Sequence, residues 1–258
     1  MQFEPSQAPP ARCPVCEDER QYVGFDGQTW TTLDELRRDH RNEFIEMEPG
    51  ITAILTQPSF AIGQRAFLLR LPGGNLLWDC LTLIDDSTVG RIRAEGGLKA
   101  IAISHPHYYS TMVEWAEIFD CPVYLHAADR EWIQRYSSHL RLWEWETLAL
   151  HDGLTLIRGG GHFPGGAMLH SPKTADGKGV LFSGDIIQVV PDRRWVSFMY
   201  SYPNLIPLNE REVRRIVRTV EPFSFDRIYG AFHPRQVFSD AKRVIDRSVE
   251  RYIQYLSK

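Results

Sequence analysis

The sequence predicts one α/β domain in which β-sheets pack face to face with helices outside, and three observations carry that expectation. The chain has 258 residues, enough to bury a sizeable core in a single large domain. Hydrophobic residues make up 43% and charged residues 24%, a balance that excludes a disordered or fibrous chain. Two stretches of short apolar runs each give way to alternating strand and helix patterns, with no repeat and no low-complexity tract after residue 20. Lys and Arg number 29 against 33 Asp and Glu, a net charge of −4, so there is no basic field for nucleic acid phosphates.

Residues 1–20 read as an irregular arm, because Pro5, Pro9, Pro10 and Pro14 oppose regular pairing, and residues 21–258 as the domain. Thr31-Thr32-Leu33-Asp34-Glu35-Leu36 starts a helix, with a threonine cap and acidic residues in the first turn. Strands follow in ITAILT, RAFLLRL and NLLWDC, and Pro72-Gly73-Gly74 between the last two predicts a hairpin. A helix near 88–94 leads to the buried strand KAIAIS, the helix STMVEWAEIF, the strand PVYLH and the helix AADREWIQRY. From Trp143 the β rhythm resumes through LTLIRGG, AMLHS, GVLFSGD and RRWVSFMY. Helix 210–220, strand DRIYGAF and a last helix from 239 to about 256 finish the chain. That last helix carries Val244, Ile245, Val249, Tyr252 and Ile253 on one face, which is expected to pack on a sheet.

The opening residues show no apolar h-region, and no apolar run approaches the roughly 18–20 residues needed to span a bilayer. Four cysteines make no disulfide framework, so a cytoplasmic location and a small-molecule partner are expected, with no nucleic acid and no membrane. No oligomeric state is expected from the sequence. Cys13 and Cys16 form a C-P-x-C pair that supplies two of the four ligands of a structural zinc, with His40 as one partner to borrow. Cys80 and Cys121 read as buried core thiols.

Among nine histidines, His105 and His107 follow the strand KAIAIS as His105-Pro106-His107. Period-two alternation puts both rings on one side, a chelate for zinc or iron; a polar turn with two exposed histidines is the alternative. His162 sits among five glycines in residues 159–166, a run that lets the backbone approach a ligand closely. Asp185 closes a strand after Gly184 and adds an oxygen donor, with a turn cap as its alternative role. His126 is expected to pack at a strand end, and His139, His151 and His170 lack ligand-like context.

In this order the residues resemble the metallo-β-lactamase-fold hydrolases, whose pattern is H-x-H-x-D-H, then G-H-x-P-G, then G-D, then a final histidine. The matches are His105-Pro106-His107, Gly161-His162-Phe163-Pro164-Gly165 and Gly184-Asp185, at intervals of 55 and 23 residues. Asp79 resembles the aspartate that closes an early strand there. The resemblance spans about residues 45–235 and implies a four-layer αββα sandwich with the metal at one edge between the sheets. Whole phrases at 13–23, 104–112 and 190–205 look like a narrower, uncharacterised branch of that superfamily.

Two departures bear on mechanism. Tyr109 and Ser110 stand where the family has the Asp and His ligands of its second metal, and hydroxyls are poor ligands for zinc at neutral pH. The resemblance therefore implies one metal, zinc or alternatively iron, held by His105, His107, His162 and Asp185. His233 follows Gly230 by three positions, so it either lines the site or lies just outside it. Tyr108, Ser110 and Asp79 are expected nearby, and Phe163, Trp195, Phe198, Tyr200 and Tyr202 are expected as pocket walls. The leading functional expectation is hydrolysis of a small ester, thioester, lactone or amide by a mononuclear metal-bound hydroxide. Asp185 serves there as catalytic carboxylate, and Tyr109 stabilises the oxyanion in place of the missing metal. The alternatives are a mononuclear non-haem iron oxygenase acting on persulfides, and a binding protein without catalysis.

Overall fold

The computed structural model describes residues 3–257. Two helices open the chain, α1 (Pro14–Glu17) and α2 (Leu33–Asp39). The latter begins with a complete capping box, Thr32 Oγ1 accepting from the Glu35 amide while the Glu35 carboxylate accepts from that of Thr32. A seven-stranded sheet follows in chain order: β1 (Arg41–Glu48), β2 (Ile51–Gln57), β3 (Arg65–Leu69), β4 (Leu76–Trp78), β5 (Ala100–Ala102), β6 (Val123–His126) and β7 (Leu140–Trp143). β3 and β4 pair antiparallel across Pro72-Gly73-Gly74, as expected, and β4 to β7 run parallel. Helices α3 (Asp86–Ala94) and α4 (Met112–Phe119) make the crossovers on its outer face.

The second sheet begins with β8 (Thr147–Ala149), β9 (Thr155–Arg158), β10 (Ala167–Ser171) and β11 (Val180–Gly184). Two ribbons interrupt it, β12 (Gln188–Val189) with β13 (Val196–Ser197), and β14 (Met199–Ser201) with β15 (Ile206–Pro207). After α5 (Glu210–Val220) come β16 (Arg227–Gly230), β17 (Gln236–Val237) and α6 (Ala241–Leu256), giving the sheet order β17-β16-β11-β10-β9-β8.

Three apolar layers make this a four-layer sandwich. Alternation along β3 sends Leu68 out to Ile92, Val113 and Trp115 of the first helix pair, and Phe67 and Leu69 in toward the other sheet. Between the sheets Phe67 meets Phe182 edge-on at 4.9 Å and stacks on Tyr229 at 5.6 Å. On the far face Ile157, Met168 and Leu181 pack under Val213 and Ile216 of α5 and under Val244, Ile245 and Val249 of α6. The apolar face expected of the last helix therefore covers a sheet.

Two elements differ from expectation. AADREWIQRY forms only a 3-10 turn, Ala127–Trp132, because the Asp129 carboxylate turns inward to the Gly165 amide at 2.7 Å. The run RRWVSFMY splits into two short strands that leave the sheet. A buried arginine, Arg65, locks the sheet edges together, donating to the carbonyls of Gly230 and Arg235 at 2.9 Å each. Burial pushes its guanidinium down to about 10, and the Phe67 ring lies 4.7 Å from its charge. Among the described residues, no helix is long and apolar enough to cross a membrane.

Candidate metal centre

The loops that leave the C-terminal ends of β5, β9 and β11 meet at one edge of the sandwich, where parallel-strand folds gather their ligands. His105 is extended, and Pro106 then starts a 3-10 turn over Pro106–Tyr108. His105 and His107 thus converge through a turn that proline nucleates, rather than by strand alternation. His162 comes from the glycine loop 159–166, in which Gly161 takes a φ of 80° and would set a Cβ 2.7 Å from Leu208 Cδ1. Gly184, at a φ of 51°, lets β11 approach Ser104, whose side chain a Cβ there would meet at 2.9 Å.

These loops bring together His105, His107, His162 and Asp185, with one ligand-type atom from each lying within 4.8 Å of all the others. The three imidazole centroids are 5.0–5.2 Å apart. His105 Nε2 lies 3.7 Å from Asp185 Oδ2. The outward nitrogens are held: His162 Nδ1 is 2.7 Å from the Tyr200 carbonyl, and His105 Nδ1 is 2.9 Å from Ser104 Oγ. The Nε2 atoms of His105, His107 and His162 are buried with no hydrogen-bond partner. Three buried orphan nitrogens beside a carboxylate fit a first-row divalent ion, which would satisfy all of them at once.

The electrostatics agree. Burial pushes all three imidazoles below their usual range, His162 to about 4, so they stay neutral at pH 7 and able to ligate. Burial raises Asp185 to about 6, against the Gln188 amide donating to it at 3.2 Å and the charge of Arg235. Asp79, at a φ of 62° after β4, accepts the Ser104 amide at 2.7 Å, and burial raises its carboxyl to about 7. It braces the histidine strand from behind.

The remaining expected residues divide. Tyr108 is fully buried against His105, centroids 5.0 Å apart, with its hydroxyl unpartnered. Tyr109, expected at the oxyanion, is buried with Tyr108 in the core between the first sheet and its helices, and it is Tyr108 whose ring meets His105. Ser110 spends its hydroxyl on Thr82 at 2.7 Å. His233 is exposed, its Nδ1 3.4 Å from Arg65 Nη1, and lies outside the cluster. Cys13 and Cys16, expected as two ligands of a structural zinc, face each other with Cα atoms 5.2 Å apart on either side of a single helical turn. His126 packs on Trp143 at a strand end, as expected.

The pocket walls are mostly not those expected. Phe198 is buried under α6, Trp195 lies between Arg247 and Arg251, and Phe163 is buried beneath Arg20. Tyr200 lines a neighbouring cavity behind the glycine loop. The cavity over the cluster, about 470 Å³, reaches His107, His162 and Asp185. Its walls are Arg20, Gln21 and Tyr22 of the arm, Ala61 and Ile62, Tyr202 and Pro203, and Phe232. Only Tyr202 among these was legible beforehand. Ala61 and Ile62 gave no sequence signal, while Arg20 lay in a segment taken as irregular.

This architecture is the fold of solved metallo-β-lactamases. DIM-1 metallo-β-lactamase exposed to ceftazidime superposes with a TM-score of 0.63 at 13% identity, over 84% of this chain and 98% of that one. FIM-1 from Pseudomonas aeruginosa in its mono-zinc form gives 0.60 at 13% identity, over 81% and 95%. SMB-1 in complex with mercaptoacetic acid gives 0.57 at 18% identity, over 83% and 97%. No family model matches the sequence. The chain belongs to the family of the uncharacterized protein YmaE of Bacillus subtilis (strain 168), to which it is 51% identical over 251 residues, 96% of this chain and 91% of that one.

Proposed function

We propose that the protein is a metal-dependent hydrolase that cleaves a small ester, thioester, lactone or amide at a single metal. The observation that carries this is the set of three buried, unpartnered imidazole nitrogens beside Asp185, open on one side to a cavity. His105, His107, His162 and Asp185 would hold a divalent ion, which would lower the pKa of water toward about 7 and polarise a carbonyl. Asp185, whose Oδ2 lies 3.7 Å from His105 Nε2 beside the cluster, is the carboxylate placed to take up a proton as water adds to the acyl carbon. The acyl–oxygen, –sulfur or –nitrogen bond then breaks, and the leaving group departs with a proton.

The other groups orient. Ser104 and the Tyr200 carbonyl hold His105 and His162 so that Nε2 faces the cluster. Tyr108, not Tyr109, is the phenol beside the ligands. Burial raises its pKa well above the usual value, with Asp185 and Asp79 pushing the same way, so it stays protonated as a donor for developing negative charge. One metal rather than two is supported by Tyr109 and Ser110, whose side chains are turned into the core and onto Thr82.

The test is elemental analysis of the purified protein beside a His105→Ala, His162→Ala double variant, followed by an ester and thioester screen. About one zinc per chain, lost in the variant together with hydrolysis, is the expected result. Iron in that place with oxygen uptake on a persulfide would replace hydrolysis by oxygenation, and a metal content unchanged by the mutations would overturn the assignment.

A further inference from the structure

The cavity is walled on one side by the N-terminal arm, and, apart from the unpartnered imidazole nitrogens of the cluster, several of its polar groups are already engaged. Arg20 is its one cationic wall residue among the described residues, and it is 8% exposed. Its Nε and Nη2 donate to the two Asp18 oxygens at 2.7 and 2.8 Å, and Nη1 donates to the His162 carbonyl at 3.1 Å. A guanidinium clamped on a carboxylate in this way presents little net charge to a ligand. Gln188 donates to Asp185, the Tyr202 hydroxyl to the Asp185 carbonyl at 2.8 Å, and the Gln21 amide to the Tyr22 carbonyl at 3.1 Å.

What the walls offer instead is hydrocarbon: the rings of Tyr22, Tyr202 and Phe232, with Ile62, Ala61 and Pro203. Ala61 holds a φ of 53°, a left-handed conformation found where a backbone is shaped for a site. The apolar character continues outward along the arm. Tyr22 is 58% exposed, and three residues on Phe25 stands wholly in solvent at the tip of a turn closed by the Gly27 amide on the Gly24 carbonyl at 3.0 Å.

We infer that residues 20–22 form one wall of an acyl subsite, which selects substrates whose acyl group is an uncharged alkyl chain and discriminates against anionic ones. The inference rests on the hydrolase assignment for the bond that is cut, but not for the chain that is bound. The scissile carbonyl would sit over His107, His162 and Asp185, with the alkyl chain against Tyr22 and Ile62, which line the same cavity. A cavity of about 470 Å³ lies within the range of small-molecule sites, and the subsite gains affinity by removing alkyl surface from water.

Two measurements test it, one of turnover and one of binding. With p-nitrophenyl esters, kcat/KM is expected to rise about two- to fourfold per added CH₂ from acetyl to octanoyl. The mono-succinyl ester should fall at least tenfold below the butyryl ester. Tyr22→Ala and Tyr22→Asp, at an exposed position that does not threaten folding, should flatten the series. Calorimetric binding of octanamide to the chelator-treated protein should be at least fivefold tighter than to Tyr22→Asp. A flat ester series, a succinyl ester as good as the butyryl, or octanamide binding indifferent to Tyr22 would each overturn the subsite. Octanamide binding that depends on Tyr22, in a protein that cleaves no ester, would keep the subsite and remove the hydrolase assignment.

Discussion

The guanidinium of Arg20 lies 4.0 Å from the centroid of the Phe163 ring, and Phe163 directly follows the metal-ligand candidate His162. The same guanidinium is 5.2 Å from the rings of Trp132 and Tyr200, so the arm is pinned by one cation in an aromatic cage. Ser201 and Asn204 add donors to the Glu19 carbonyl at 2.6 Å each. The arm is thereby part of the centre's wall.

Arg20→Ala should cost about 2–4 kcal/mol, because it leaves the Asp18 carboxylate unpaired and empties the cage. Thermal unfolding checks this, with a fall in Tm of several degrees expected. Arg20→Lys should recover only part of the loss, since an ammonium cannot make the bidentate contact to Asp18. An Arg20→Ala protein as stable as wild type would show that the arm is merely resting on the domain.

Ser104→Ala removes the hydroxyl 2.9 Å from His105 Nδ1 without touching a ligand. Metal affinity is expected to weaken about 10- to 100-fold, as when the outer partner of a ligating histidine is lost. Competition with a fluorescent chelator reads the change directly, and unaltered affinity would mean that Ser104 does not orient the ring.

Tyr109→Phe should leave kcat/KM within about twofold, its ring belonging to the helix-side core. Tyr108→Phe should lower kcat by about 10²-fold at unchanged metal content, the loss expected for a single oxyanion donor. Paired kinetics with metal analysis of both variants decide between the adjacent phenols.

Asp129 gives stability a pH dependence. Burial raises its carboxyl to about 7, outweighing the Gly165 amide and the charges of Arg20 and Arg158, while Glu131 adds to the rise. Between about pH 4 and 7 the folded chain keeps a proton that the unfolded chain releases, so this contribution is full below pH 4 and lost as pH rises through 7. Asp129→Asn keeps an oxygen for the Gly165 amide but has no proton to lose. Its Tm relative to wild type should rise by several degrees from pH 5 to pH 8, and an equal gap at both pH values would contradict the assignment.

The face-to-face sheets were legible in the apolar runs of the sequence, and the four clustered residues in motifs that resemble those of the metallo-β-lactamase-fold hydrolases. Alternating apolar runs set the strands, and ligand-type residues next to glycine or proline at strand ends need only the strands to be in order. Direction and distance were not legible there. A single 3-10 turn at Pro106 chose Tyr108 over Tyr109 beside His105, and the placement of β16 and β17 put His233 outside the cluster. The docking of Arg20 on Phe163, 143 residues away, depends on where the chain returns in space. Such contacts follow from packing between segments remote in sequence, and no local propensity encodes them.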